Sequence, residues 1–202
     1  MTTLGITGGI GSGKTAACEV FETLGAEVFY ADAEAKRLMT EHDGLRADII
    51  EAFGTESYGP GGTLNRDYLA RTVFADPAKI EQINALVHPH VHEAFDERRQ
   101  AVAAAGHVPL LVHEAALIYE SGGAKHLDAV AVVDAPEAER IRRVTERDGA
   151  TEAEVRARMS HQMSAAEKRR RADYVIDNGG APAGLHAEVE RVFEAAVRTG
   201  GT

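Results

Sequence analysis

Gly8-Gly9-Ile10-Gly11-Ser12-Gly13-Lys14-Thr15 matches G-x-x-x-x-G-K-[ST] without a gap, and the reading of the fold works outward from it. Leu4-Gly5-Ile6-Thr7 before it is short, apolar and partly β-branched, as a buried strand is, and Ala16 to Leu24 after it read as a helix. Strand, loop and helix in that order are the setting in which the pattern binds phosphate. The glycines let the backbone turn its N–H groups toward phosphate oxygens, and the helix N-terminus adds positive partial charge. Lys14 can reach the β and γ phosphates of a triphosphate, and the Thr15 hydroxyl can ligate Mg²⁺. Gly9, Ile10, Gly11, Ser12, Gly13, Lys14, Thr15 and Ala16 are therefore the expected ATP-binding segment, with Mg²⁺ as the accompanying ion.

The chain has 202 residues, enough to bury a large core as one domain with a smaller inserted part. No apolar run approaches the roughly 20 residues that span a bilayer, and the first residues lack the layout of a secretory signal. A cytoplasmic protein without a membrane partner is expected. The formal charge of -10 argues against a broad nucleic-acid face, because phosphate neutralisation dominates that affinity. Its anionic ligands are expected to be small molecules met locally, by a monomer or small homo-oligomer. The single cysteine, Cys18, falls in the helix after the loop and reads as a small buried side chain.

Downstream, Gly25 is a natural helix C-cap and Ala26 to Tyr30 read as a second strand, so that Asp32 stands where that strand runs out. Ligands of open parallel sheets bind outside such carboxyl ends. Two readings fit Asp32: a functional carboxylate, or the cap of a helix from Ala33 to Met39. From Glu41 to His107 the chain is helical around Leu45 to Phe53, Asp67 to Phe74 and Pro77 to Val87. His88-Pro89 is expected to break the last of these before another helix that ends near Gly106. Such an insertion between strands reads as an acceptor-binding flap.

Val108 to His113, Asp128 to Val133 and Tyr174 to Ile176 read as the remaining strands, and Pro182 to Arg198 as a closing helix. The helix after Pro136 carries Arg140, Arg143 and Arg147 on one face. Alone, that face reads as solvated and paired with Glu137, Glu139 and Glu146; beside a phosphate loop it reads as arginines that stabilise a phosphoryl group in transit. Two capping boxes, Thr151 to Glu154 and Ser164 to Glu167, open the helices of a basic hairpin that could close as a lid. The fold class that follows is α/β, a three-layer P-loop fold with a five-stranded parallel sheet. Residues 1–40, 108–136 and 172–202 form its core, 41–107 the helical insertion, and 137–171 the arginine helix and lid.

A hydrolytic GTP switch would need an Asn-Lys-x-Asp motif, and no Asn-Lys pair occurs. A small chain with an acceptor-sized insertion favours a kinase. Beyond this, the sequence resembles the dephospho-CoA kinases over nearly its whole length. The resemblance rests on Ile6 to Thr15, Ala31-Asp32 followed by Lys36, Gly62-Thr63-Leu64-Asn65-Arg66, Val73-Phe74-Ala75-Asp76-Pro77 and Ile83 to Pro89. Arg143, Arg147-Asp148-Gly149, Gln162 and Ala172 to Asn178 complete the ordered series. Two departures stand out: Tyr30 replaces the first aspartate of an Asp-Ala-Asp segment, and Ala116-Leu117-Ile118-Tyr119-Glu120 replaces Pro-Leu-Leu-Phe-Glu, keeping the glutamate.

The resemblance implies transfer of the ATP γ-phosphate to the ribose 3′-hydroxyl of dephospho-CoA. Asp32 would accept or orient the hydroxyl proton, with Lys14, Arg143 and Arg147 as the other catalytic residues and Arg140 and Asn178 at ATP. Thr15 and Asp32 are the expected metal ligands. Lys36, Arg66, His88 and Glu120, with Asp32, are the expected acceptor-side residues, although His88 before Pro89 fits a structural histidine equally well. The alternatives are a small kinase with a nucleoside or nucleotide acceptor, and a non-catalytic ATP-binding switch.

Overall fold

The computed structural model describes residues 1–74, 76–180 and 182–199. Ala75, within the segment Val73 to Pro77, and Ala181 and residues 200–202 of the expected core lie outside the described residues. Five strands, β1 (Thr2–Thr7), β2 (Glu27–Tyr30), β3 (Leu110–Glu114), β4 (Ala129–Asp134) and β5 (Tyr174–Asp177), form one sheet in the order β2-β3-β1-β4-β5. The helices are α1 (Lys14–Thr23), α2 (Ala31–Glu41), α3 (Asp43–Phe53), α4 (Arg66–Phe74), α5 (Pro77–Ala105), α6 (Glu137–Asp148), α7 (Glu152–Ser160), α8 (Ala165–Arg171) and α9 (Pro182–Thr199).

The sheet is parallel and built around β1, all of whose residues are buried. Ile6 is in register with Glu114 on one side and with Ala131 on the other. The chain thus leaves β1 with β3 and β4 on opposite flanks, which makes the carboxyl end of β1 a switch point where α/β sheets bind ligands. Helix α1 buries Ala17, Cys18 and Phe21, and α9 buries Leu185, Val189, Val192 and Ala196 at helical spacing. Cys18 is a free, buried thiol whose pKa burial pushes up.

The chain divides into two compact units, Met1–Phe29 with Ala101–Thr202, and Tyr30–Gln100. In the second, α3 buries Leu45, Ile49 and Phe53 along one stripe. The Tyr58 hydroxyl donates to Met39 O (2.7 Å) and the Tyr68 hydroxyl to Phe53 O (2.9 Å), which ties the turn Gly59-Pro60-Gly61-Gly62 to α2 and α4 to α3.

Three local expectations change. Helix α5 runs without a break through His88-Pro89. An interior proline costs about 3 kcal/mol. Val87, Val91 and Phe95 continue one buried stripe across it, and side chains of that size each return about 1.5 kcal/mol or more on burial, which offsets the loss. Asp32 is not a cap: α2 begins at Ala31, so Asp32 lies in its first turn, and the cap position is Tyr30 with no side-chain bond. The box at Thr151 is complete, whereas at Ser164 only the serine half forms, because Glu167 turns to Arg170 and Arg171.

Candidate active site

Gly13, in the left-handed region at φ 94°, is the N-cap of α1 and offers it no side-chain bond. First-turn N–H groups of a helix need partners from outside it. The N–H groups of Gly11, Gly13, Thr15 and Ala16 have none among the described residues. Unclaimed donors at the positive end of a helix, on the carboxyl end of the central strand, form an anion site. Two buried polar atoms there, Ser12 Oγ and Arg140 Nε, likewise lack a partner.

The outside of the loop is, by contrast, fully wired. Asn178 Nδ2 donates to Ser12 O (2.8 Å), and Arg143 donates from Nη1 to Ser12 O (3.4 Å), from Nη2 to Asn178 O (2.9 Å) and from Nε to Glu139 (2.8 Å). Asn178 N in turn donates to Asp134 O (2.7 Å). A Cβ on Gly13 would collide with the Asn178 amide in a backbone conformation, φ 94°, that already favours glycine, whereas one on Gly9 would meet only the end of the Arg140 side chain and displace it. On the other flank Ile10 N donates to Gln162 Oε1 (2.9 Å), and the Ile10 side chain packs against Ile141, Val144, Ala150 and Val155.

Lys14 Nζ donates to Gly8 O (3.3 Å) and lies 4.0 Å from a carboxylate oxygen of Glu114. Glu114 ends β3 and is only 8% exposed. Sequence reading gave it no role; its place at the end of an apolar run, beside the strand that feeds the loop, was the available signal. The Thr15 hydroxyl is exposed and makes no hydrogen bond among the described residues, so it is available to a cation such as Mg²⁺.

Arg140, Arg143 and Arg147 separate in environment. Arg140 is buried against the loop glycines and Arg143 braces the loop, but Arg147 is exposed and bonded to Asp148 (2.7 Å). Arg142 bridges Glu139 and Glu146 (both 2.7 Å), and its bonds, then those of Arg143, hold the Glu139 carboxyl down near 2. The helix thus carries a solvated side paired with carboxylates and a side, with Arg140 and Arg143, that meets the phosphate loop.

In the hairpin, Lys168 is 0% exposed; its ammonium donates to Ala116 O (2.6 Å) and pairs with Glu120 (3.0 Å). Glu120 also accepts from Met163 N (2.8 Å). Burial pushes the Glu120 pKa up, but the Met163 and Lys168 bonds outweigh it and hold it below its ordinary value. The carboxylate read as an acceptor contact therefore anchors the hairpin. Among KRRR, nothing in the sequence marks Lys168 as the buried one. The other basic residues are paired: Arg156 with Glu137 and Glu152, Arg158 with Asp148, and Arg169 with Asp134.

The unit Tyr30–Gln100 carries Asp32, Lys36, Arg66 and His88. Asp32, Lys36 and Arg66 are exposed, and none has a side-chain hydrogen bond or ion pair among the described residues. Burial, and then His92, lower the pKa of His88, so at pH 7 it offers a hydrogen bond rather than a positive charge.

A dephospho-CoA kinase family profile matches residues 2–183. The chain belongs to the dephospho-CoA kinase family. A dephospho-CoA kinase of Salinibacter ruber is 56% identical over 180 residues, covering 89% of this chain and 90% of its own length. One from Syntrophotalea carbinolica is 42% identical over 180 residues, covering 89% and 85%. Among solved structures, one from Thermus thermophilus superposes with a TM-score of 0.80 at 35% identity, covering 100% of this chain and 98% of its own. The dephospho-CoA kinase of Campylobacter jejuni superposes at 0.72 and 23% identity, with 98% of each chain covered, and at that identity shows the shared fold. Kinase chemistry of the family accounts for the unclaimed donors of the loop.

Proposed function

We propose that this chain transfers the γ-phosphoryl group of ATP to the 3′-hydroxyl of the ribose of dephospho-CoA, giving CoA and ADP, the closing step of CoA synthesis. The observation that carries the reading is the set of unclaimed N–H donors on Gly11, Gly13, Thr15 and Ala16 beside Lys14, in a chain of this family. Those donors and Lys14 take the β and γ phosphates, and Lys14 exchanges Gly8 O and Glu114 for the anion as the nucleotide enters. The Thr15 hydroxyl and Asp32 would hold Mg²⁺, which would supply charge neutralisation at the phosphates.

In the transfer the ribose O3′ forms a bond to Pγ as the bond from Pγ to the β-γ bridging oxygen breaks, and ADP leaves. The exposed, unpartnered Asp32 carboxylate accepts the hydroxyl proton as that bond forms. Arg140 and Arg143 stabilise the charge from the loop side, and Arg147 joins them once it leaves Asp148. Lys36, Arg66 and His88 steady the acceptor. The Asn178 amide is engaged on Ser12, so the adenine is read into the open groove of about 760 Å³ lined by Asp134, Pro136, Arg169, Asp177, Gly179 and Glu188.

The insertion acts as the acceptor subdomain and the hairpin as the lid. Among the described residues no helix is long and apolar enough to cross a membrane, and we place the reaction in the cytoplasm, on small molecules, in a monomer or small homo-oligomer. An acceptor panel tests the reading. ADP release that depends on dephospho-CoA supports it, and equal release with nucleosides or nucleotides, or none with any acceptor, overturns it.

A further inference from the structure

A chain of hydrogen bonds leaves the end of β1 and returns to the phosphate loop. The Thr7 hydroxyl donates to Ala116 O (3.1 Å), the same carbonyl that accepts from the buried Lys168 ammonium (2.6 Å). Lys168 pairs with Glu120 (3.0 Å), Glu120 accepts from Met163 N (2.8 Å), and the neighbouring Gln162 accepts Ile10 N–H (2.9 Å). The turn between α7 and α8 is thereby fixed to the core at its base and to the loop at its tip. Ile10 is held twice, by its N–H on Gln162 and by its side chain on the cluster of Ile141, Val144, Ala150 and Val155.

The loop's N–H groups cannot all converge on one anion. The Ile10 N–H turns away from the unclaimed set, and a diverted N–H must find an acceptor. Gln162 supplies it, so the peptide between Gly9 and Ile10 keeps one orientation and the next N–H groups stay aimed at the anion site. We infer that Gln162 is a positioning residue for the donor nucleotide: it holds the tip of the phosphate loop in its ATP-binding shape and makes loop and hairpin move as one. The inference rests on the ATP-dependent reading of the site.

Gln162→Met keeps the length of the side chain and removes the acceptor, and Gln162→Glu keeps the acceptor and adds a negative charge near the triphosphate. In calorimetric titrations with ADP and with a non-hydrolysable ATP analogue, the Met variant should bind about five- to tenfold more weakly, the loss of one ordinary hydrogen bond. Its KM for ATP should rise by the same factor while kcat and the melting temperature stay near those of the unaltered chain. The Glu variant should lose affinity at low salt and regain it, relative to the unaltered chain, as salt screens the charge, whereas the deficit of the Met variant persists. Unchanged binding by Gln162→Met, or a loss that only follows a lowered melting temperature, overturns the role of Gln162. An unaltered chain that binds neither nucleotide overturns the donor-site reading itself.

Discussion

The two compact units differ in how their candidate site residues are held. Around the phosphate loop, Arg143, Asn178, Gln162 and Lys14 all have protein partners, and the groups left unclaimed among the described residues are mostly backbone N–H donors of the loop, with Ser12 Oγ, Arg140 Nε and the Thr15 hydroxyl beside them. In the unit Tyr30–Gln100, Asp32, Lys36 and Arg66 stand exposed with no side-chain partner among the described residues. The difference fits the two roles proposed for them. A triphosphate is bound by a preformed array of dipoles whose organisation is paid for in folding, whereas reacting and steering groups must be free to engage a ligand.

That comparison can be broken at either end. The largest expected effect is at Asp32: Asp32→Asn should lower kcat by about 10²- to 10⁴-fold, the usual range for a general base, while calorimetry still shows nucleotide binding. Near-normal turnover would remove Asp32 from the reaction. Next is the buried anchor. Lys168→Met removes the ammonium that bonds Ala116 O and Glu120 and should cost about 1.5–3 kcal/mol in denaturant unfolding, the range for hydrogen bonds to a charged group, partly recovered by adding Glu120→Gln. At the loop, Gly13→Ala forces a side chain into φ 94° against the Asn178 amide and should cost about 1–3 kcal/mol, measurable by the same unfolding series.

Smaller effects belong to the exposed pairs. The bonds of Arg170 and Arg171 hold the Glu167 carboxyl near 2, as those of Arg142 and Arg143 hold Glu139. Both values lie below the ordinary 4.5, so the stabilisation is complete above pH 4.5 and is lost as pH falls from there toward 2. Melting temperatures across that window should fall less steeply for Glu139→Gln and at high salt. The smallest effect is expected for Arg156→Ala, which removes exposed pairs and should change stability by less than about 1 kcal/mol.

Much of this was legible in the chain itself. The eight residues from Gly8 to Thr15 announce strand, loop and helix because each position of the motif has its own backbone or ligand demand, and the sheet follows from apolar runs placed after it. The family could be read from the ordered series of segments. The unbroken α5 could not, because the stripe of Val87, Val91 and Phe95 outweighs Pro89 only once the helix is packed. Nor could the work of Glu120 and Lys168: a carboxylate and an ammonium 48 residues apart give no local sign that they will meet. Asn178 was read as a nucleotide contact, and nothing in the sequence told that its amide would hold Ser12 O, a partner 166 residues away.

The most direct test of the central claim uses an acceptor altered at one atom. With Mg²⁺ and ATP, dephospho-CoA should drive stoichiometric ADP release and gain one phosphoryl group at the ribose 3′-oxygen, and the 3′-deoxy analogue should drive none above the background without acceptor. Equal ADP release with the deoxy analogue, or phosphate found elsewhere on the acceptor, would contradict the account.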